Sequence, residues 1–127
     1  MANINVSLSG TISSLDTAAN STIMSRALSL LFGATTLFFE PFFQAASGGS
    51  TVNLPAATVR VVMVINKSAS ANLTVSYTPS GGGSTSILLE PGEMFLYFQT
   101  GTAAGGITAL SVTAASGTIP AEVLAAA

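Results

Sequence analysis

"TVRVVMVIN", residues 58–66, alternates Val59, Val61, Met63 and Ile65 against Arg60, Val62 and Val64, so a strand here is apolar on both faces. Such a strand needs cover on both sides, which a single wet-backed sheet does not provide. "EMFLYFQ" (93–99) repeats the pattern with aromatic residues. Two other stretches are one-sided. In "INVSLSGTI", Ile4, Val6, Leu8 and Ile12 oppose Asn5, Ser7, Ser9 and Thr11, and in "NLTVSYT", Leu73, Val75 and Tyr77 oppose Asn72, Thr74, Ser76 and Thr78. Each predicts a strand with one buried and one polar face. "GITALSVT" (106–113) and "IPAEVLA" (119–125) read as two further strands joined by the turn "AASG".

Gly, Pro, Ser and Asn punctuate these runs. In "LLEPGEMF", Pro91 fixes φ at the second turn position and Gly92 supplies positive φ at the third, a type II signature expected to join strands 85–90 and 93–99 as a hairpin. "SYTPSGGGSTS" and "NKSASAN" (66–72) are looser connections. Residues 14–32 admit two readings. A helix started by Ser14 or Asp16 would gather Leu15, Ala19, Ile23, Ala27 and Leu30 on one face. A strand over 23–32 would alternate Met24, Arg26, Leu28, Leu30 and Phe32 with Ser25, Ala27, Ser29 and Leu31. The strand is favoured, because its pattern is continuous and Asn20-Ser21-Thr22 reads as a turn. No repeat at solenoid spacing occurs. About eight short strands with turn-rich connections predict an all-β chain, a two-sheet antiparallel sandwich of jelly-roll type, folded as one domain over residues 1–127.

The chain is 49% hydrophobic and only 6% charged, against about a quarter charged in ordinary soluble proteins. A surface made of Ser, Thr, Asn, Gly and Ala is easily desolvated and suits contact with other subunits. Three cations, Arg26, Arg60 and Lys67, cannot neutralise a run of phosphates, so nucleic acid is not expected as a partner. "MANINVSLSG" lacks a basic stretch followed by an apolar one, so it does not read as a secretory signal, and synthesis in the cytoplasm of the producing cell is expected. The longest apolar segment, "ALSLLFGATTLFF" (27–39), is shorter than the ~20 residues a spanning helix needs.

Chemistry-bearing residues are few. Cysteine and histidine are absent, which removes thiolate nucleophiles, the usual transition-metal ligands and the commonest general base. Glu90 and Glu93 flank a Pro-Gly turn and are read as solvated rather than as a catalytic pair. Asp16, Glu40 and Glu122 are too scattered for a hard-cation site, which takes six to eight oxygen ligands. Gly81-Gly82-Gly83 lacks the Lys and helix of a phosphate loop. Asn20-Ser21-Thr22, Asn66-Lys67-Ser68 and Asn72-Leu73-Thr74 match the glycosylation pattern by chance in a chain this rich in these residues. No catalytic residue, cofactor or metal is assigned, and the chain is expected not to be an enzyme.

"LFFEPFFQA" (37–45) is the segment that points outward. Leaving four phenylalanines in water rather than burying them would forgo ~1.5–3 kcal/mol each. On an unbroken strand Phe39 and Phe43 face one way and Phe38 and Phe42 the other, so one core covers only half of them. Pro41, without an amide donor, favours an edge or a bulge. Either both pairs are covered by the two sheets and a loop, or one pair lies in the core and the other at a subunit contact; the second reading is the one carried forward. Arg26 and Arg60, both read as strand-interior residues, are expected to find carboxylate or carbonyl partners inside the sandwich or across a subunit boundary. Phe38, Phe39, Phe42, Phe43, Arg26 and Arg60 are thus the candidate interface residues.

In "TVNLPAATVRVVMVINKSASANLTVSYTP", "ILLEPGEMFLYFQTG" and "ITALSVTAASGTIPAEVLAAA", roughly residues 50–127, the chain resembles small β-sandwich structural proteins of tailed bacteriophage particles, in particular capsid decoration or cement proteins. The resemblance implies a virion protein that reinforces the head through contacts with the major capsid protein or another virion protein. It also implies a homo-oligomer, with a trimer expected from capsid geometry. Tail, neck or fibre structural protein is the alternative within that class. A membrane-active protein inserting the Phe-rich segment is the alternative outside it.

Overall fold

The computed structural model describes residues 2–13 and 22–34 as paired backbone, and residues 36–99 and 105–127 with their side chains. Its strands are β1 (Ala2–Ser13), β2 (Thr22–Ala34), β3 (Leu37–Ala46), β4 (Ser50–Thr51), β5 (Val61–Asn66), β6 (Leu73–Pro79), β7 (Thr85–Leu89), β8 (Met94–Phe98), β9 (Ile107–Ala114) and β10 (Thr118–Ala126). The chain forms two compact units, Met1–Ala34 and Thr35–Ala127.

In the first unit β1 and β2 pair antiparallel, and their register sets Ile4 opposite Phe32, Val6 opposite Leu30 and Leu8 opposite Leu28. The strand reading of 23–32 holds. Of the turn expected at Asn20-Ser21-Thr22, Thr22 is instead the first residue of β2, and the rest, with the helix start at Ser14 or Asp16, lies outside the described residues.

The second unit holds the sandwich. One sheet has the order β3-β10-β5-β8 and the other β4-β9-β6-β7, all neighbours antiparallel. Only the β6–β7 connection stays within a sheet. Every other connection carries the chain across, which is the winding of an eight-stranded jelly roll. The expected hairpin between residues 85–90 and 93–99 is therefore corrected. The turn itself is as read, with Gly92 at φ 81° and the Glu93 N–H donating to Glu90 O at 3.0 Å. However, β7 pairs with β6 and β8 with β5, so the turn arches between sheets. A local turn fixes a chain reversal; which neighbour each strand then pairs with is fixed by burial on both sides.

β5 begins at Val61, three residues later than the apolar run. Val59 is bridged to Ile107 of the opposite sheet, and the chain crosses between sheets at Arg60. Gly106 makes that bridge possible. At φ 114° it adopts a conformation L side chains rarely reach, and a Cβ there would lie 2.6 Å from the Val59 carbonyl oxygen.

Alternation sorts the core. Leu73 and Val75 of β6 with Leu110 and Val112 of β9 meet Val62 and Val64 of β5 with Val123 and Ala125 of β10, all buried. Tyr77 stacks on Phe95 across the two sheets, ring centroids 5.1 Å apart. The polar exception is Asn66, fully buried at the end of β5. Its amide donates to Ala71 O (2.9 Å) and Leu89 O (3.1 Å), and its Oδ1 accepts the Ser68 N–H (3.0 Å). Its backbone N–H donates to Glu93 O and its carbonyl accepts the Gly92 N–H, both at 2.9 Å. One side chain thus ties the β5–β6 loop to the end of β7, and its backbone ties in the arch at 90–93.

Candidate functional site

β3 is an edge strand, and Pro41 stands in it where no ladder hydrogen bond is needed. Opposite it, Ala121 pairs with Phe43 and Val123 with Glu40, two steps on β10 against three on β3. β3 therefore carries one extra residue, a bulge at Pro41-Phe42. The bulge resets the alternation. Phe38 and Phe43 pack against the core, whereas Phe39 is 50% and Phe42 78% exposed. The expected partition into Phe39 with Phe43 and Phe38 with Phe42 is corrected for that reason. The split into one inward and one outward pair is retained.

The bulge is closed by its neighbours. The Phe42 N–H donates to Glu40 Oε1 (3.2 Å), and the Gln44 amide donates to Phe42 O (3.4 Å). Further along, the Ser50 hydroxyl accepts the Ala46 N–H (3.0 Å) and donates to Gln44 O (3.3 Å). Backbone groups that would otherwise template another strand are taken, so this half of the edge is blunted against strand addition.

Phe39 belongs to a wider feature. In the β3-β10-β5-β8 sheet it stands opposite Leu124, Leu124 opposite Met63, and Met63 opposite Leu96. These four make one cross-strand row on the outer face, away from the core set at Phe38, Ala125, Val62 and Tyr97. The row to one side is Leu37, Ala126, Val61 and Phe98; the row to the other carries Glu122, Ile65 and Met94, with Phe42 standing at the bulge. Leu37 (55%) and Met94 (41%) are exposed, Val61 and Ala126 buried. Glu122 is the one ionisable group in these rows, and Lys67 Nζ lies 3.9 Å from its Oε2 at the margin. Glu122 with Lys67 is thus the one charge in these rows, and the exposed apolar part is Leu37, Phe39, Phe42 and Met94.

The other sheet differs. Thr51, Ser111, Ser76 and Ser86 stand opposite one another across all four of its strands. Ser76 and Ser86 hydroxyls lie 2.7 Å apart, and those of Thr78 and Ser84 2.9 Å apart. A shallow depression of about 230 Å³ lies among them, lined in part by Thr51, Ser76, Thr78, Ser84 and Ser111. Of these hydroxyls, Ser76 partners Ser86 and Thr78 partners Ser84.

Of the remaining candidates, Arg60 is half-buried just before β5, not inside it; its N–H donates to Ala126 O (2.8 Å) and its carbonyl accepts the Gln99 N–H (2.9 Å). Arg26 lies in β2 opposite Gly10. Glu90 and Glu93 are exposed, and the Glu93 carboxylate accepts the Glu90 N–H at 2.8 Å, which closes the arch. Among the described residues no group of three or more Asp and Glu could hold a metal ion. The residues missed from sequence are Met63, Leu96 and Leu124. For Met63 and Leu96 the signal was the double-sided apolar pattern of 58–66 and 93–99; Leu124 lies in 119–125, read from sequence only as a further strand.

Comparison with protein-family models, curated proteins and solved structures gives no match for this chain.

Proposed function

We propose that this chain is a structural protein of a virion, a capsid decoration or cement protein that reinforces the head by contacts repeated at many identical sites. The observation that carries the reading is the exposed apolar part of the outer face of the β3-β10-β5-β8 sheet, Leu37, Phe39, Phe42 and Met94. Apolar side chains left this exposed favour cover by protein, since each one buried adds ~1.5–3 kcal/mol. Modest contacts of this kind become strong when a lattice presents them many times. The jelly-roll winding supports the reading by analogy, because that architecture recurs in viral capsid domains. The low charge and the absence of His and Cys fit a part that works by surface burial, and no catalytic role is assigned to it.

The test is antibody labelling of particles purified from cells that produce the chain, viewed by negative-stain electron microscopy. Regular labelling of heads is expected. Labelling confined to tail or neck moves the protein to the tail and fibre class, and particles that carry no label overturn the virion reading.

A further inference from the structure

We infer that the flank of the sandwich formed by β7 and β8 is a strand-pairing interface, on which a second copy of this chain docks edge to edge about a two-fold axis and continues both sheets. The inference goes beyond the virion reading and does not depend on it, since it rests on backbone groups in a different part of the molecule.

Hydrogen-bond parity identifies those groups. Glu93 O accepts the Asn66 N–H and the Gln99 N–H donates to Arg60 O, so the odd-numbered residues of β8 turn to β5, and Met94 and Leu96 turn to the open side. In the other sheet Leu110 O accepts the Val52 N–H, so Leu110 turns to β4 and its pair partner Tyr77 turns to β7. Thr85, Ile87 and Leu89 then turn to β6, and Ser86 and Leu88 to the open side. No described strand pairs with Ser86, Leu88, Met94 or Leu96 on that side. The opposite flank is defended: β3 carries the Pro41 bulge with the Phe42 N–H capped by Glu40, and β4 has two residues. In contrast, β7 and β8 each run five residues without a proline, a charge or a bulge, and Leu88 (57%) and Met94 (41%) stand exposed along them.

Geometry selects a second copy. β7 and β8 end their two sheets on the same flank, tied by the arch at 90–93. Stacked sheets lie ~10 Å apart, so a lone extended peptide fills one edge and leaves the other open. The flank of another copy presents two strands at the required spacing. A two-fold axis perpendicular to the sheets sets β8 antiparallel to its copy and β7 antiparallel to its copy at once, an isologous contact that closes at two subunits. Centred at Phe95 and Ile87, it pairs Met94 with Leu96 and Ser86 with Leu88 of the second copy, about eight backbone hydrogen bonds in all. The same register sets Glu93 opposite Tyr97 and Glu90 opposite Ser84 of the second copy, so these carboxylates do not meet across the axis.

The experiment uses the full chain. Sedimentation equilibrium from low micromolar to near-millimolar protein is expected to show the mass rise from one copy to two. Amide hydrogen exchange, read residue by residue by NMR at both ends of that range, locates the contact. The N–H groups of Ser86, Leu88, Met94 and Leu96 are expected to exchange at least about tenfold more slowly in the concentrated sample, and those of Ile87 and Phe95, already paired within the sandwich, to be protected in both. The double variant Ser86→Pro/Leu96→Pro removes two donors that the sandwich itself does not use, and with native circular dichroism it is expected to stay monomeric across the range. If that variant unfolds, exchange in the unaltered chain decides alone. A protein that is monomeric at every concentration, a three-copy mass, a two-copy mass with those four amides unprotected, or a folded double variant that still dimerises each overturns the inference.

Discussion

Phe38 and Phe43 are five positions apart on one strand and pack against the same core, although an uninterrupted strand would send them to opposite faces. The extra residue at the Pro41-Phe42 bulge reconciles the two, and it leaves Phe39 and Phe42 as the outward pair. Replacing Phe38 or Phe43 by Ala is expected to destabilise the protein by about half of the ~3–5 kcal/mol that a fully buried Phe costs, since both are only partly buried. Replacing Phe39 and Phe42 by Ala is expected to leave stability within ~0.5 kcal/mol and to abolish attachment to particles. Urea unfolding followed by circular dichroism, read beside pelleting with particles, separates the pairs.

Asn66 makes five hydrogen bonds from a fully buried position. Asn66→Ala keeps the backbone bonds and orphans Ala71 O, Leu89 O and the Ser68 N–H, an expected loss of about 2–4 kcal/mol. Asn66→Asp is expected to be worse at neutral pH, because it sets a carboxylate against two carbonyl oxygens. The midpoint of urea unfolding should fall in both variants with little change in slope. An Asn66→Asp variant as stable as the parent would remove Asn66 from its place as the tie between sheets.

Two glycines with positive φ should respond differently to the same change. At Gly92 an added Cβ meets nothing within 4 Å, so Gly92→Ala carries backbone strain alone, about 1 kcal/mol. At Gly106 the Cβ meets the Val59 backbone and the Thr58 side chain, both at 2.6 Å. Gly106→Ala is expected to cost more than twice as much, with thermal unfolding as the readout. Equal losses would contradict the close approach of Gly106 to the Val59 bridge.

The Lys67–Glu122 ion pair contributes little to this fold. The Lys67–Glu122 pair is long and partly solvated, so Lys67→Ala should change stability by less than ~0.5 kcal/mol. Raising salt from near zero to half molar should likewise leave the unfolding midpoint nearly unmoved. A large salt-dependent shift would point to an electrostatic network that the sandwich does not show among its described residues.

Strand existence, the inward set Leu73–Val75 and the turn at Pro91-Gly92 were legible in the sequence, whereas which side of 58–66 faces the core was not. Each depends on neighbours within a few residues, where period-two burial and a required positive φ leave direct marks. The split of the phenylalanines into one buried and one outward pair was legible for the same reason, as was the readiness of Pro41 for an edge or a bulge. What the chain alone left open was which sheet each strand joined. β7 and β8 are consecutive and joined by a tight turn, yet pair with β6 and β5, because a strand apolar on both faces settles where both faces find cover. The assignment of Phe38 with Phe43, and of Phe39 with Phe42, was also decided by the tertiary structure. It turns on one residue of register against β10, a strand some eighty residues away, and a one-residue slip reverses every side chain beyond it. Leu124, Met63 and Leu96 become one surface with Phe39 only through three such registers at once, so the candidate site is a property of the assembled sheet and of no single segment.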